Sequence, residues 1–307
     1  MSRFTKQITS YWQQFRTVVR NEYGSIFTDA GVILVLVLAL LIYSTLYSLA
    51  YGTQVLRNVP IGVIDMSNTS TSRQLINTFN AGPNVYVAYD PGDMDEAKHL
   101  FYDREQATAT TQPVIYQSHN LFNPYLGYGS FVMPAIIMVI IQQTMLIGIG
   151  MIGGTWSEFG LYKKLIPPGR RRMSTLPVVA GKAFVYASIY AVTLFYILGL
   201  HYKLFHFPTN GHTADIIAFL IPYLLSCIFL GIAVSTLFQR REQSIMLLLW
   251  CSIPALMLSG ASVPREAMPE WLYRFGQILP SSSGVEGFIR LQSMGASFSD
   301  VLHEVRI

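Results

Sequence analysis

The chain has 307 residues, of which 51% are hydrophobic and only 12% charged, and its mean hydropathy is +0.39. Soluble domains carry about 25% charged residues, so an ordinary water-soluble fold is excluded unless it hides a very large core. The net charge of +4 and pI near 9.0 come from basic residues dispersed in loops beside apolar segments, which argues for membrane topology and against a nucleic-acid surface.

From Phe4 to Phe27, apolar residues recur at Phe4, Ile8, Tyr11, Trp12, Phe15, Val18, Val19, Tyr23 and Phe27, with Lys6, Arg16 and Arg20 between them. The pattern predicts an amphipathic helix lying at the headgroups. No small-residue cleavage site follows the first apolar run, so residues 1–31 are expected to form an interfacial helix and not a cleaved signal. That run, Val32 to Ala50, is the first of five: Phe131 to Ile152, Val178 to Leu200, Ile216 to Phe238 and Ile245 to Val263 follow. A hydrocarbon core of roughly 30 Å needs about 20 apolar helical residues, and each run meets or nearly meets that length. Cys227 and Cys251 fall inside the fourth and fifth runs as small packing residues, with no disulfide framework or metal-spaced pair.

Residues 51–128 are the part that reads as a small soluble α/β module. Val59 to Asp65 predicts a buried strand and Thr71 to Phe79 a helix with Leu75, Ile76 and Phe79 on one face. Asn84 to Tyr89 alternates as a second strand, and Asp93 with Glu96 has the spacing of a capping box for a helix through Leu100 and Phe101. Such a module is small for an independent core.

Where the second run begins stands Asn123-Pro124-Tyr125-Leu126-Gly127-Tyr128-Gly129-Ser130-Phe131-Val132-Met133-Pro134. Pro124 and Pro134 restrict the backbone, while Tyr125, Tyr128 and Phe131 place rings at headgroup level. The motif is either a helix cap with an aromatic anchor or part of a gate. Gln142 and Gln143 are amides near the middle of this run, where an unpaired amide is costly. They serve either an interhelical hydrogen bond or the lining of a substrate path.

In the segment Trp156 to Thr175, within a loop spanning 155–177, Trp156 to Gly160 and Leu161 to Leu165 predict a short amphipathic helix with Trp156, Phe159 and Tyr162 protruding as anchors for a protein groove. The alternative is a membrane-surface loop held on anionic lipid by Arg170, Arg171 and Arg172. The charges orient the chain: Arg3, Lys6, Arg16 and Arg20, then Lys163 to Arg172, then Arg240 and Arg241, mark one side as cytoplasmic. The segment Gly52 to Tyr128, with seven acids against four bases, belongs outside. Lys182, near the cytoplasmic end of the third run, is expected to snorkel. Pro264 to Pro280 is too short and polar to span, with Trp271, Leu272, Phe275 and Ile278 on one side; its own residues fit a plain interfacial anchor. Residues 264–307 end in what reads as a helix start at Phe298. The six histidines fall in outward regions and match no metal-site spacing; they are expected at the surface.

The Asn123–Pro134 motif, the Gln142-Gln143 pair and the glycine-rich Gly148 to Gly154, taken with Arg20-Asn21-Glu22-Tyr23, Asp29 and the late Met268-Pro269-Glu270-Trp271-Leu272 with Leu279-Pro280, resemble permease subunits of type-2 ABC exporters. The branch resembled carries a large extracytoplasmic loop after the first span. The resemblance implies an all-α polytopic membrane protein, five spans visible and six expected, with a small extracytoplasmic α/β domain between spans one and two. It implies a longer outward segment near position 107 and a sixth span beyond Ile307. It also implies that Trp156, Glu158, Phe159, Gly160 and Tyr162 couple to an ABC ATPase subunit, although Leu161 replaces the family's usual threonine. Asn123, Pro124, Tyr128, Phe131 and Pro134 would form the gate, Gln142 and Gln143 the path, and Pro264, Pro269, Trp271 and Pro280 the outer closure, in a re-entrant or interfacial pair of helices.

No G-x-x-x-x-G-K-[ST] loop occurs, so the chain is not expected to be the ATP-hydrolysing engine. It is expected to bind no cofactor or metal and to have no catalytic residue, ATP and Mg being carried by the partner. The resemblance further implies a homodimer or a heterodimer with a related permease, a bacterial inner membrane location with a cytoplasmic N-terminus, and a periplasmic adaptor and outer-membrane channel as further partners. The substrate would be an amphipathic or hydrophobic molecule moved outward. The reading from another class is a non-transporting scaffold or sensor whose extracytoplasmic domain binds a partner. An ion-driven transporter is disfavoured because no acid is expected deep within a span.

Overall fold

A computed structural model describes residues 3–51, 59–65, 67–80, 85–89, 128–165, 174–205, 207, 209–263 and 265–306. They fall into two units, Met1–Gly52 with Tyr128–Ile307, and Thr53–Gly127, each described by itself.

The first unit is helical. Helix α1 (Arg3–Thr28) is followed by α2 (Ala30–Ile33), a wider π turn over Leu34–Leu38, and α3 (Ala39–Tyr51). Its remaining helices are α5 (Tyr128–Glu158), α6 (Thr175–Phe195) continuing through a π turn (Tyr196–His201) into α7 (Tyr202–Leu204), α8 (Thr213–Ser235), α9 (Arg241–Trp250), α10 (Ser252–Leu258), α11 (Glu270–Gly276), α12 (Pro280–Gln292) and α13 (Leu302–Arg306). Among the described residues, four helical segments are long and apolar enough to cross a bilayer: Ala30–Ala50, Val132–Glu158, Thr175–Leu204 and Thr213–Ser235.

The fifth predicted run departs from expectation. It is two helices, α9 and α10, meeting at Cys251. Pro254 lacks an N–H for the Trp250 carbonyl and its ring crowds that carbonyl, which breaks the helix one turn upstream. The bonds Cys251 N to Leu247 O and Ala255 N to Cys251 O, both 3.0 Å, carry the chain across the break.

Helix α5 is the centre. Its apolar window is 83% buried, against 28–44% for the other three candidate spans, and a helix apolar on all sides belongs inside a bundle. Pro134 is buried within its second turn. Close approach to α5 is made possible by its small residues. A Cβ at Gly154 would lie 2.7 Å from the Arg240 carbonyl oxygen and 2.9 Å from the Arg241 nitrogen, so only glycine lets the backbone that starts α9 sit there. The same packing device drives helix association within lipid, where apolar burial by itself gives no preference.

Along the first span one stripe is buried: Val32, Leu36, Leu40, Ser44 and Ser48. A repeat of four turns about 40° too far per step on an ideal α-helix, and the wider π turn at Leu34–Leu38 takes up part of that excess. The opposite face, with Leu34, Leu38, Ile42, Leu46 and Leu49, is exposed.

Beyond α10 the chain folds back onto the bundle. Helix α12 buries Ser281, Gly284, Val285, Phe288 and Leu291 against α5 and α8. Arg265 pairs with Glu286 and donates to the Ser282 carbonyl, and Arg290 pairs with Glu304 of α13. Asn210 closes the link before α8 by donating Nδ2 to the Ser293 carbonyl at 2.7 Å.

In the second unit, β1 (Val59–Gly62) and β2 (Val85–Tyr89) pair in parallel with Val59 opposite Val85, and α4 (Ser70–Asn80) packs on β2. Asp65 accepts from Ser72 Oγ at 2.6 Å and from the Asn68 and Ser67 amides, and these bonds hold its carboxyl below the usual aspartate value. The predicted helix from Asp93 lies outside the described residues.

Two glycine replacements of opposite sign check this packing. Gly154→Ala is expected to lower stability by about 1–3 kcal/mol, because the obstructing atoms are backbone. Gly24→Ala, where a Cβ meets nothing within 4 Å, is expected to raise it by up to about 1 kcal/mol through helix propensity. Thermal unfolding of the detergent-solubilised protein reads both.

Candidate functional site

The end of α5 and the turn after it form the candidate site. Helix α5 stops at Glu158 because Gly160 takes a left-handed φ of 61°, the usual way to end a helix, and a 3-10 turn over Leu161–Leu165 follows. Glu158, Phe159 and Gly160 are exposed, Phe159 at 69%. Phe159 thus presents a large apolar ring from a short turn at the end of the most buried helix.

Trp156 does not protrude as the sequence predicted. It is 2% exposed, within the last turn of α5. Its Nε1 donates to Ser25 Oγ at 3.1 Å, the Lys182 ammonium lies 5.3 Å from its ring centroid, and Tyr162 packs edge-on at 5.8 Å. An indole with a partner for its N–H and a cation for its face gains more inside than at the surface. Tyr162 is half-buried, and its hydroxyl donates to the Gly153 carbonyl at 3.3 Å. Desolvation, followed by the charge of Glu22, raises its pKa.

Beneath Trp156 lies a polar cluster that the sequence reading missed. Glu22 on α1 is fully buried; its Oε1 accepts from Lys182 Nζ at 2.8 Å and from Tyr186 Oη at 2.5 Å. Lys182 therefore does not snorkel: it is 5% exposed and paired. Helix α1 likewise does not float free. Gln14, Val18, Glu22 and Ile26, spaced by four, are all buried, and α1 runs alongside α6 in the same direction. Gln14 exchanges two hydrogen bonds with the Ser174 backbone at 3.2 and 3.3 Å, and Tyr23 Oη lies 2.5 Å from Ser188 Oγ. The spacing of four was readable, but Gln14 and Glu22 interrupt its apolar character, whereas the more apolar face including Trp12 and Phe27 is exposed.

A second clamp joins α2 to α9. Asp29 caps α2 by accepting from the Gly31 and Val32 amides at 3.0 and 3.2 Å, and Arg241 donates to both its oxygens. Desolvation pushes the Asp29 carboxyl up, but Arg241 and the two amides together hold it below its ordinary 3.8.

Of the proposed path residues, Gln142 is buried and its Oε1 accepts from the Ser281 amide at 2.6 Å, capping the start of α12. This is the interhelical bond of the two alternatives. Its Nε2 has no partner among the described residues, and Gln143 is half-buried. Asn123, Pro124 and Pro264 lie outside the described residues, as do the side chains of Tyr128 and Phe131, which belong to the first turn of α5. Pro269 caps α11, Trp271 on that helix is 71% exposed, and Pro280 opens α12. Among the described residues, Pro269, Trp271 and Pro280 belong to elements separate from the Phe159 turn. His201 corrects the surface expectation for the histidines: it is fully buried, 4.7 Å from the Phe205 ring. Among the described residues no metal-binding cluster occurs.

The apolar spans, the central helix among them, define a polytopic helical membrane protein in class. Residues 102–307 match the family model described as ABC-2 family transporter protein, and the chain belongs to that family. It is similar to the probable multidrug ABC transporter permease YbhR of Escherichia coli strain K12, and to that of Escherichia coli O157:H7. In each case it is 27% identical over 162 residues, 52% of this chain and 43% of the relative. The aligned part thus spans less than half the length of these relatives. No solved structure matches.

Removing one member of a buried ion pair typically costs about 3–5 kcal/mol, and removing both costs much less. Glu22→Leu or Lys182→Leu alone is expected to destabilise by that amount, with most of it recovered in the double variant, as read by a double-mutant cycle on thermal unfolding. The Asp29 clamp sets an acid dependence. A carboxyl whose folded pKa is depressed contributes stability above its unfolded value of about 4 and loses it as pH falls through the folded value. Acidification from neutral pH to about 3 should therefore lower the unfolding temperature more in the unsubstituted protein than in Asp29→Asn.

Proposed function

We propose that this chain is the transmembrane subunit of an ATP-driven exporter that moves an amphipathic or hydrophobic molecule outward across a bacterial inner membrane. A separate ATPase subunit, carrying ATP and Mg, supplies the energy, and permeases of this family are not themselves ATPases. The observation that carries the reading is the Glu158–Phe159–Gly160 turn. It joins an exposed aromatic anchor, of the kind that fills a protein groove, to the central helix α5. Family membership supports the transporter class.

In this reading the turn faces the cytoplasm with the N-terminus, as the Arg and Lys distribution favours, and the strand–helix–strand unit faces outward. Force applied by the ATPase at Phe159 reaches α5 directly. Trp156 passes it to α1 through Ser25 and to α6 through Lys182, while Gly154 and the α9 backbone pass it to the Asp29–Arg241 clamp. A contact that moves one helix by a small amount then shifts several together, because packed cores switch between discrete arrangements and do not deform continuously. Two copies, or this chain and a related permease, dimerise through the apolar faces left open on α3 and on α9–α10, where Leu46, Met246 and Trp250 are exposed.

Phe159→Ala, and separately Glu158→Ala, are expected to weaken association with the co-expressed ATPase roughly 30-fold, the loss of about 2 kcal/mol that marks an interface hot spot. Vanadate-sensitive ATP turnover should fall with it while the unfolding temperature of the permease stays unchanged. A wild-type level of stimulated turnover in Phe159→Ala would remove the turn from the coupling pathway.

A further inference from the structure

A cavity of about 850 Å³ opens between the third and fourth spans, at the end of the bundle opposite Trp156. Its volume lies within the roughly 300–1,000 Å³ of small-molecule sites. One wall is the last turns of α6 with the following π turn, including Phe195, Leu198 and Gly199; the other is the first turns of α8, including Ile217 and Ile221. Phe195, Ile217 and Ile221 are each more than half exposed, so the cleft opens sideways, at the depth where two membrane-spanning helices meet acyl chains.

The end beside α7 has a different chemistry. Lys203, Tyr202 and Gln292 line it, and Lys203 is the sole charged residue among the described residues that do so. Tyr202 is 2% and Gln292 1% exposed, yet Tyr202 Oη and Gln292 Oε1 have no hydrogen-bond partner among the described residues. Each such buried atom is destabilising unless something satisfies it. These groups sit where α7 ends at Leu204 and α8 begins at Thr213, the level at which a span reaches the headgroups. The site therefore offers a long apolar slot, a cation at its mouth, a hydroxyl donor and an amide oxygen that can only accept.

We propose that this cleft is a binding site for an anionic phospholipid bearing headgroup hydroxyls, with phosphatidylglycerol as its occupant. The acyl chain lies between Phe195 and Ile221, the phosphodiester meets Lys203, an ester or phosphate oxygen accepts from Tyr202, and a glycerol hydroxyl donates to Gln292 Oε1. The inference does not depend on the transported substrate or on the ATPase. It requires a bilayer around these spans and uses none of the residues assigned to coupling.

The test places the full chain in nanodiscs containing a trace of phosphatidylglycerol with a diazirine on the acyl chain, followed by photolysis and peptide mapping. Label should concentrate on residues 191–199 and 216–224. Unlabelled phosphatidylglycerol should compete about fivefold better than phosphatidylcholine, the factor supplied by one lysine near a charged headgroup, and Lys203→Ala should abolish that preference. Gly199→Leu fills the cleft from a position where a Cβ meets nothing within 4 Å, and Ile221→Trp fills it from the other wall. Either, with an unchanged unfolding temperature, should cut labelling of the cleft several-fold while leaving label around the exposed Phe184 of α6, outside the cleft, unaltered. Even labelling of all lipid-facing helices, equal competition by the two lipids, or labelling that survives both filling variants would overturn the proposal. So would displacement of the label by a compound that stimulates ATP turnover, since the cleft would then hold the transported molecule.

Discussion

Helix α5 is surrounded by protein, and a helix in that position needs neighbours that can come close and ends that are held. Closeness comes from small residues: at Gly154 the backbone of the α9 start occupies the space a side chain would take, and at Gly153 the Ser235 side chain and carbonyl do so. Without water as a competing solvent for apolar groups, contact distance and polar bonds decide which helices associate. Two groups of polar bonds stand near the Trp156 end of the bundle. Glu22, Lys182 and Tyr186 form one buried group and Asp29 with Arg241 another, with Trp156 resting on the first.

This arrangement explains why the exposed turn is so short. Only Ser157, Glu158, Phe159 and Gly160 separate the buried Trp156 from the 3-10 turn, so the exposed Phe159 ring stands within three residues of packed structure. The chain's amphipathic first helix takes part in the same frame. It lies along α6 by a stripe of four residues, two of them polar, each bonded to a partner on or just before α6. The far end of the bundle differs: Tyr202 and Gln292 border open volume with polar atoms unsatisfied among the described residues. Buried polar pairs hold the Trp156 end of the helical bundle, and at its other end a cavity opens beside Tyr202 and Gln292.

Much of the fold was legible in the sequence. Runs such as Ile216 to Phe238 are long enough and apolar enough that no soluble alternative competes, and the strand and helix at Val59 and Thr71 announce themselves by alternation and by a spacing of three to four. The break at Cys251 was also legible in principle, since Pro254 stands within the fifth run, but run length outweighed it in the reading. The site was harder. The segment was read as a short amphipathic helix with Trp156, Phe159 and Tyr162 protruding; Phe159 does protrude, but from the turn that ends α5, and Trp156 was assigned to the wrong surface because an aromatic residue near a span end serves equally as an interfacial anchor or as a packed residue.

Composition and the order of apolar runs by themselves determined that this chain crosses a membrane several times, because backbone groups in lipid must be satisfied within helices and only long apolar segments can remain there. Only the tertiary structure decided that Lys182 is paired and not snorkelling, that Gln142 caps α12, and that Trp156 is inside. Each of those outcomes depends on a partner far away in sequence, Glu22 for Lys182, Ser281 for Gln142 and Ser25 for Trp156, and local pattern holds no record of which distant group will stand within hydrogen-bonding distance.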